Sequence, residues 1–288
     1  MKTAFLKRPT DFRTYDRNIE FSEIEKWGND IYDNLKDASY IGYILALKCD
    51  LFLYTPDLDN SLLNYDVILS ITPILKKRLK DEQLLCYIEP EPIELSFNEH
   101  RVWSKDQPPE YPYDLLLDNF YDIHTAGHIS SPYAFDLAYF EQLKQPKKEG
   151  RVFVQKRTSI SGFQDIYTEN WGERSYPQFV KDLSTCEYAI NLCENGSSGQ
   201  IIAECSLLDV ICFARPHKIY TKILLSEFCH ISNEQEFYEK INILKNDSSL
   251  KVSILQDIKN NCKKIDINNF RALIEEAFLE HQNKAEIL

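Results

Sequence analysis

Short apolar runs alternate with amphipathic stretches along most of the 288-residue chain. Thr3–Leu6, D-L-F-L-Y-T (50–55), Y-D-V-I-L-S-I (65–71), L-L-C-Y-I-E (84–89) and Y-D-L-L-L-D-N-F (113–120) read as strands. Phe21–Leu35 sets Ile24, Trp27, Ile31 and Leu35 at helical spacing, which predicts one helix running through Gly28. P-I-L-K-K-R-L-K (73–80) predicts a short helix, with Pro73 in the first turn where its missing N–H is tolerated. The second half repeats the theme. R-V-F-V-Q (151–155), E-Y-A-I-N-L (187–192) and V-I-C-F-A (210–214) are predicted strands. Residues 176–184, Ile201–Leu208, Glu234–Lys245 and Asn268–Asn283 are predicted helices, the last with Phe270, Leu273, Ile274, Ala277 and Phe278 on one face. Strands apolar throughout and interleaved with helices suit parallel sheets covered on both faces, an α/β class. The two series meet at Q-P-K-K-E-G (145–150), whose charge, Pro and Gly suit an exposed linker and predict domains at 1–145 and 146–288.

Composition narrows the class. Hydrophobic content of 43% with 12% aromatics is enough for packed cores. The formal charge of −12 weighs against loose electrostatic binding to nucleic acid or an anionic membrane, although K-K-R-L-K (76–80) is a local exception. Most of the acidity lies in residues 1–150, with 26 Asp and Glu against 17 Lys and Arg. The eight cysteines contain no C-x-x-C pair and sit mostly among apolar neighbours, so free core thiols are expected, without a zinc site or disulfides. The first residues lack the apolar core of a signal peptide and no run approaches a membrane span, which gives the expectation of a soluble, cytoplasmic protein.

The most informative stretch is N-G-S-S-G-Q-I-I-A-E-C-S-L-L-D-V (195–210). Ser197, Ser198 and Gly199 fall between a predicted strand and a predicted helix, where backbone N–H groups converge on a phosphate. Small side chains let the phosphate approach those amides. Glu204 follows one and a half turns later, at about 1.5 Å per residue, within reach of a ribose diol attached to that phosphate. The competing reading makes Ser197 or Ser198 a helix N-cap and turns Glu204 to solvent. Other candidates are less patterned. His124 and His128 have metal-ligand spacing only on a helix, and Gly127 followed by S-S-P predicts a loop instead. Arg215 and His217 follow the strand at 210–214, at the carboxyl end where open α/β sheets bind ligands. Among Asp114, Asp118 and Asp122 nothing marks a catalytic base, and G-F-Q-D-I-Y-T-E-N-W-G (162–172) has no recognisable pattern.

The second half resembles the C-terminal domain of GT-B glycosyltransferases, in particular the retaining group 1, family 4-like type with the pattern E-x-x-G-x-x-x-x-E-A. Gly199 and Glu204 match it, while its first Glu falls on Gly196, so that acid is missing and Glu194 is out of register. H-I-S-S-P-Y-A-F-D-L-A-Y-F (128–140) resembles the segment entering the linker of such enzymes, with Asp136 and Phe140 in the recurrent D-x-x-x-F. R-V-F-V-Q-K-R (151–157) resembles their first strand and basic loop, with Lys156 and Arg157 as the cations.

The resemblance implies two Rossmann-like domains with parallel sheets facing each other across a cleft, 1–145 on the acceptor side and 146–288 binding a nucleotide sugar. It implies transfer of a sugar from a nucleotide-diphosphate donor such as a UDP-sugar, without a metal or cofactor. The acceptor is open: glycan, lipid, protein or modified DNA base. Lys156, Arg157 and the Ser197–Gly199 amides would hold the diphosphate, Glu204 the ribose, and His124 or His128 would act on the transferred sugar. A nucleotide-sugar epimerase of the same fold and a non-catalytic binding protein are the competing functions.

Overall fold

Thr3–Lys7 (β1) is buried at every position, as a strand covered on both faces must be. The computed structural model describes residues 1–7, 15–35, 38–70, 74–75, 77–89, 113–118, 124–125, 128–130, 134–154, 160, 166–167, 175–192, 199–216 and 219–285. After β1 come helices Phe21–Trp27 (α1), Ile31–Asn34 (α2) and Ala38–Leu47 (α3), strand Asp50–Leu53 (β2) and the turn of helix Asp59–Leu62 (α4). Strands Val67–Ser70 (β3), Leu84–Glu89 (β4), Leu115–Asp118 (β5), His124–Thr125 (β6) and His128–Ser130 (β7) follow. They form one sheet in the order β2-β1-β3-β4-β5-β7-β6, parallel except for the β6–β7 pair.

The remaining elements are Leu137–Leu143 (α5), Val152–Val154 (β8), Ile166–Tyr167 (β9), Tyr176–Ser184 (α6), Tyr188–Asn191 (β10) and Gln200–Leu207 (α7). Then come Ile211–Ala214 (β11), Ile219–Leu224 (α8), Glu234–Asn246 (α9), Ser248–Cys262 (α10) and Ile267–Ala285 (α11). The second sheet is wholly parallel, in the order β11-β10-β8-β9. The chain thus forms two compact units with separate sheets: Met1–Phe135 with Ile267–Leu288, and Asp136–Asp266. Contacts assign residues 136–145 to the second unit and the final helix to the first.

Local chemistry explains where the elements fall. The helix expected over Phe21–Leu35 is broken, because Gly28 takes φ +53° and a 3-10 turn at Gly28–Asp30 separates α1 from α2. The described residues of 73–80 are not helical. Ile74 and Leu75 pack into the apolar cluster with Leu62, Tyr65 and Ile68, and Arg78 turns to Asp114, so side-chain burial replaces a helical repeat there. Asp136 and Phe140 work as a pair. Asp136 Oδ1 caps α5 by accepting from the Ala138 and Tyr139 amides at 3.0 and 3.3 Å, while Phe140 is fully buried one turn later. Asn233 caps α9 by accepting from the Glu236 amide, and Glu236 accepts in return from the Ser232 amide.

In the first unit α11 packs on α3, with the Tyr43 and Phe270 rings 4.4 Å apart and Arg271 donating to the Ala46 carbonyl. Its far end donates from Gln282 to the Glu82 carbonyl. Gly42 lets α3 approach the chain at Ala134, whose carbonyl oxygen would lie 1.6 Å from a Cβ at that position.

Candidate functional site

The second sheet has one reversal of strand order. β8 lies between β9 and β10, so the chain moves to opposite sides of the sheet from this point. In open parallel sheets such a switch point, at the carboxyl ends of the strands, is where ligands bind. The segments leaving β8 and β10 are 155–159 and 193–198. Lys156, Arg157, Ser197 and Ser198 fall within them and lie outside the described residues, as does His217.

Gly199 and Glu204 are described, and their geometry is specific. Gly199 precedes α7, and a Cβ there would stand 2.4 Å from the ring of the fully buried Tyr220. Its missing side chain therefore also makes room for α8, beyond any approach of a ligand to its amide. Every residue of α7 is buried. Glu204 is 3% exposed, which excludes the reading that turns it to solvent. Its Oε1 accepts two hydrogen bonds, from the Tyr176 hydroxyl at 2.7 Å and from Gln200 Nε2 at 2.9 Å. Among the described residues none donates to Oε2. Burial pushes the Glu204 carboxyl up to about 7, against the smaller opposite pull of the Tyr176 and Gln200 hydrogen bonds.

Tyr176 and Gln200 were not legible as site residues. Tyr176 opens α6, behind the Ser175 cap, and meets Glu204 only in the folded unit. Gln200 carried one readable signal, its four-residue spacing from Glu204 on the same helical face. Arg215 directly follows β11 and is half-buried at the same sheet edge.

The other candidates belong to the first unit. His124 and His128 lie on a small antiparallel hairpin at the edge of its sheet, Thr125 paired with His128 and His124 with Ile129. The loop expected there is thus two very short strands, too short to show a period. Asp114 is held by Arg78 at 2.6 and 3.0 Å and by the Leu85 amide at 2.8 Å, which makes it a structural carboxylate. Seven cysteines are described, all buried and free. Among the described residues no group of His, Cys, Asp and Glu is arranged to hold a metal ion, and no helix is long and apolar enough to cross a membrane.

A cavity of about 460 Å³ lies at the opposite end of α7, lined by Lys144, Lys147, Glu187, Asp209, Ile211 and Lys251 among others. Its charges are already engaged. Lys144 pairs with Asp209 and Glu141, Lys251 with Glu187, and Lys147 donates to the Ser184 and Leu208 carbonyls at 2.9 and 2.7 Å. Those carbonyls end α6 and α7, so the cavity is a charged clasp at the amino edge of the sheet, away from Glu204.

Two parallel-sheet units of this kind give the chain the fold of the GT-B glycosyltransferases. A solved structure of the DNA modifying enzyme beta-glucosyltransferase, determined in the presence and absence of its substrate uridine diphosphoglucose, matches with a TM-score of 0.52. The identity is 11%, over 96% of this chain and 99% of that one. A structure of T4 phage beta-glucosyltransferase matches at 0.50 and 11% identity, over 98% and 99% of the two chains. The T4 phage enzyme in complex with UDP and Mn2+ matches at 0.49 and 11%, over 96% and 99%. No protein-family model and no curated protein matches the chain.

Proposed function

We propose that the protein is a glycosyltransferase that moves a sugar from a nucleotide-diphosphate donor, a UDP-sugar, to an acceptor. The observation that carries this is the buried Glu204, pinned through one oxygen on a helix that starts at the carboxyl edge of a parallel sheet beside its switch point. A carboxyl so placed accepts from hydroxyl groups, and the neighbouring helix start favours an anion. Both are what a ribonucleoside diphosphate offers. The likeness in fold to an enzyme solved with uridine diphosphoglucose supports the same donor class.

In this reading the second unit binds the donor and the first serves the acceptor. Lys156, Arg157 and the amides of Ser197–Gly199 take up the charge that gathers on the departing diphosphate, without a metal ion. Glu204 holds the ribose, and His124 and His128 are the catalytic candidates on the acceptor side. The acceptor is identified by assaying glycan, lipid-linked sugar, protein and modified DNA in turn with one labelled donor.

The test is titration of the full chain with UDP in a calorimeter, in the presence of a chelator. Glu204→Gln is expected to weaken binding, and the double substitution of Lys156 and Arg157 to Ala to weaken it at least about tenfold, since hydrogen bonds to charged groups are worth about 1.5–3 kcal/mol. Undiminished affinity in both variants would remove the donor site from this place.

A further inference from the structure

Glu204 has two carboxyl oxygens, and the fold uses them unequally. Oε1 accepts from both Tyr176 and Gln200, at 2.7 and 2.9 Å, and no described residue donates to Oε2. The two donors reach it from different elements, Tyr176 from the start of α6 and Gln200 from the first turn of α7. Their junction is largely out of water: Gln200 is 8% and Glu204 3% exposed. A carboxylate held by one donor can still rotate and offer either oxygen. Held by two donors on the same oxygen, it has one orientation and one remaining acceptor atom, whose two lone pairs suit two adjacent hydroxyls.

We propose that Tyr176 is a positioning residue for donor binding, fixing Glu204 through Oε1 so that Oε2 accepts both hydroxyls of the ribose diol and selects ribonucleotides over deoxyribonucleotides. The inference rests on the donor site proposed above and adds a residue and a selectivity to it. Tyr176 itself does not touch the ligand in this arrangement. Its removal frees the carboxyl to turn, and also withdraws a donor that favours the ionised form, so Glu204 keeps its proton to higher pH.

The experiment compares UDP with 2′-deoxy-UDP on the full chain, by calorimetry over a range of pH. The unaltered protein is expected to bind UDP about tenfold or more tightly than the deoxy analogue, the difference made by one hydrogen bond to a charged group. Tyr176→Phe keeps the ring and is expected to bring that ratio close to one, chiefly by weakening UDP, and to move the half-point of UDP binding to higher pH. Gln200→Leu is expected to do the same to a smaller degree and serves if the tyrosine variant folds poorly. A variant that loses affinity equally for both nucleotides, or keeps the ratio and the pH profile, overturns the inference. The underlying reading fails separately. If the unaltered protein binds neither nucleotide, or if Glu204→Gln leaves both affinities unchanged, the donor site is lost and the inference with it. If Glu204→Gln abolishes the ratio and Tyr176→Phe preserves it, the positioning role alone falls.

Discussion

Glu204 carries its proton to about pH 7 because burial penalises the anion more than its two hydrogen bonds favour it. In the unfolded chain the same carboxyl titrates near its ordinary value of 4.5. Between those values the folded chain holds a proton that the unfolded chain has released. The stability tied to this group is therefore complete below about pH 4.5 and is lost as pH rises towards and through about 7. Glu204→Gln cannot titrate yet can still accept from Tyr176. Its melting temperature is expected to lose this component of the pH dependence and, at about pH 8, to equal or exceed that of the natural chain. A large loss of stability at every pH would instead mark Glu204 as a packing residue. Ligand binding runs in the opposite direction. If the ribose is held by the anion, affinity rises through the same window as the carboxyl ionises, which sets function against stability at one atom.

Among the elements, two glycines show where the fold tolerates no extra atom. Gly42 lets α3 lie against the Ala134 backbone, and Gly199 lets α7 start beside Tyr220. Gly42→Ala is expected to cost about 3 kcal/mol or more, because the clash is with a carbonyl that cannot rotate away, and Gly199→Ala about 1–3 kcal/mol, because a buried ring can shift partly. Urea unfolding of the two variants measures both; equal, negligible costs would mean that these helices are loosely seated.

The same elements show what was legible in the sequence. The strands were, because a sheet buried on both faces leaves continuous apolar runs, as at 84–89, where the expected and observed limits agree. Helices with a polar face were also legible, as at 176–184. The mostly apolar α3 carries no helical period to read, and its cause is tertiary: one side meets α11 and Gly42 meets Ala134. The break at Gly28 was hidden by apolar spacing that continues across it. At the site, Glu204 stood out as an acid inside an apolar run, whereas the part played by Tyr176 depends on a meeting between two helices that no local pattern records.

On the scale of the whole molecule, the first unit is assembled from two separated pieces of chain, Met1–Phe135 and Ile267–Leu288, while the second is one continuous piece. α11 gives the first unit Phe270 and Ile274, 5% and 0% exposed, and the Arg271 and Gln282 contacts to Ala46 and Glu82. Ending the chain after Asp266 removes all of these. Truncating a buried aromatic side chain costs about 3–5 kcal/mol and a buried isoleucine about 2–5 kcal/mol, which together approaches the stability of a whole domain. Hydrogen exchange read by mass spectrometry is expected to show β1, β3 and β4 losing protection in the shortened chain, with β8, β10 and β11 keeping theirs. Equal loss in both sheets would show that the units depend on one another for stability.

This arrangement also orders events on the ribosome. The strands of the first unit are made before any of the second, but the helix that covers α3 is made only after the whole of the second. The continuous unit has its full complement of residues once Asp266 is free, so it is expected to complete its fold first although it is translated second. Until α11 is made, the face of α3 that meets Phe270 has no cover, so crosslinking of stalled nascent chains is expected to find chaperone on the first unit up to that length and not beyond it.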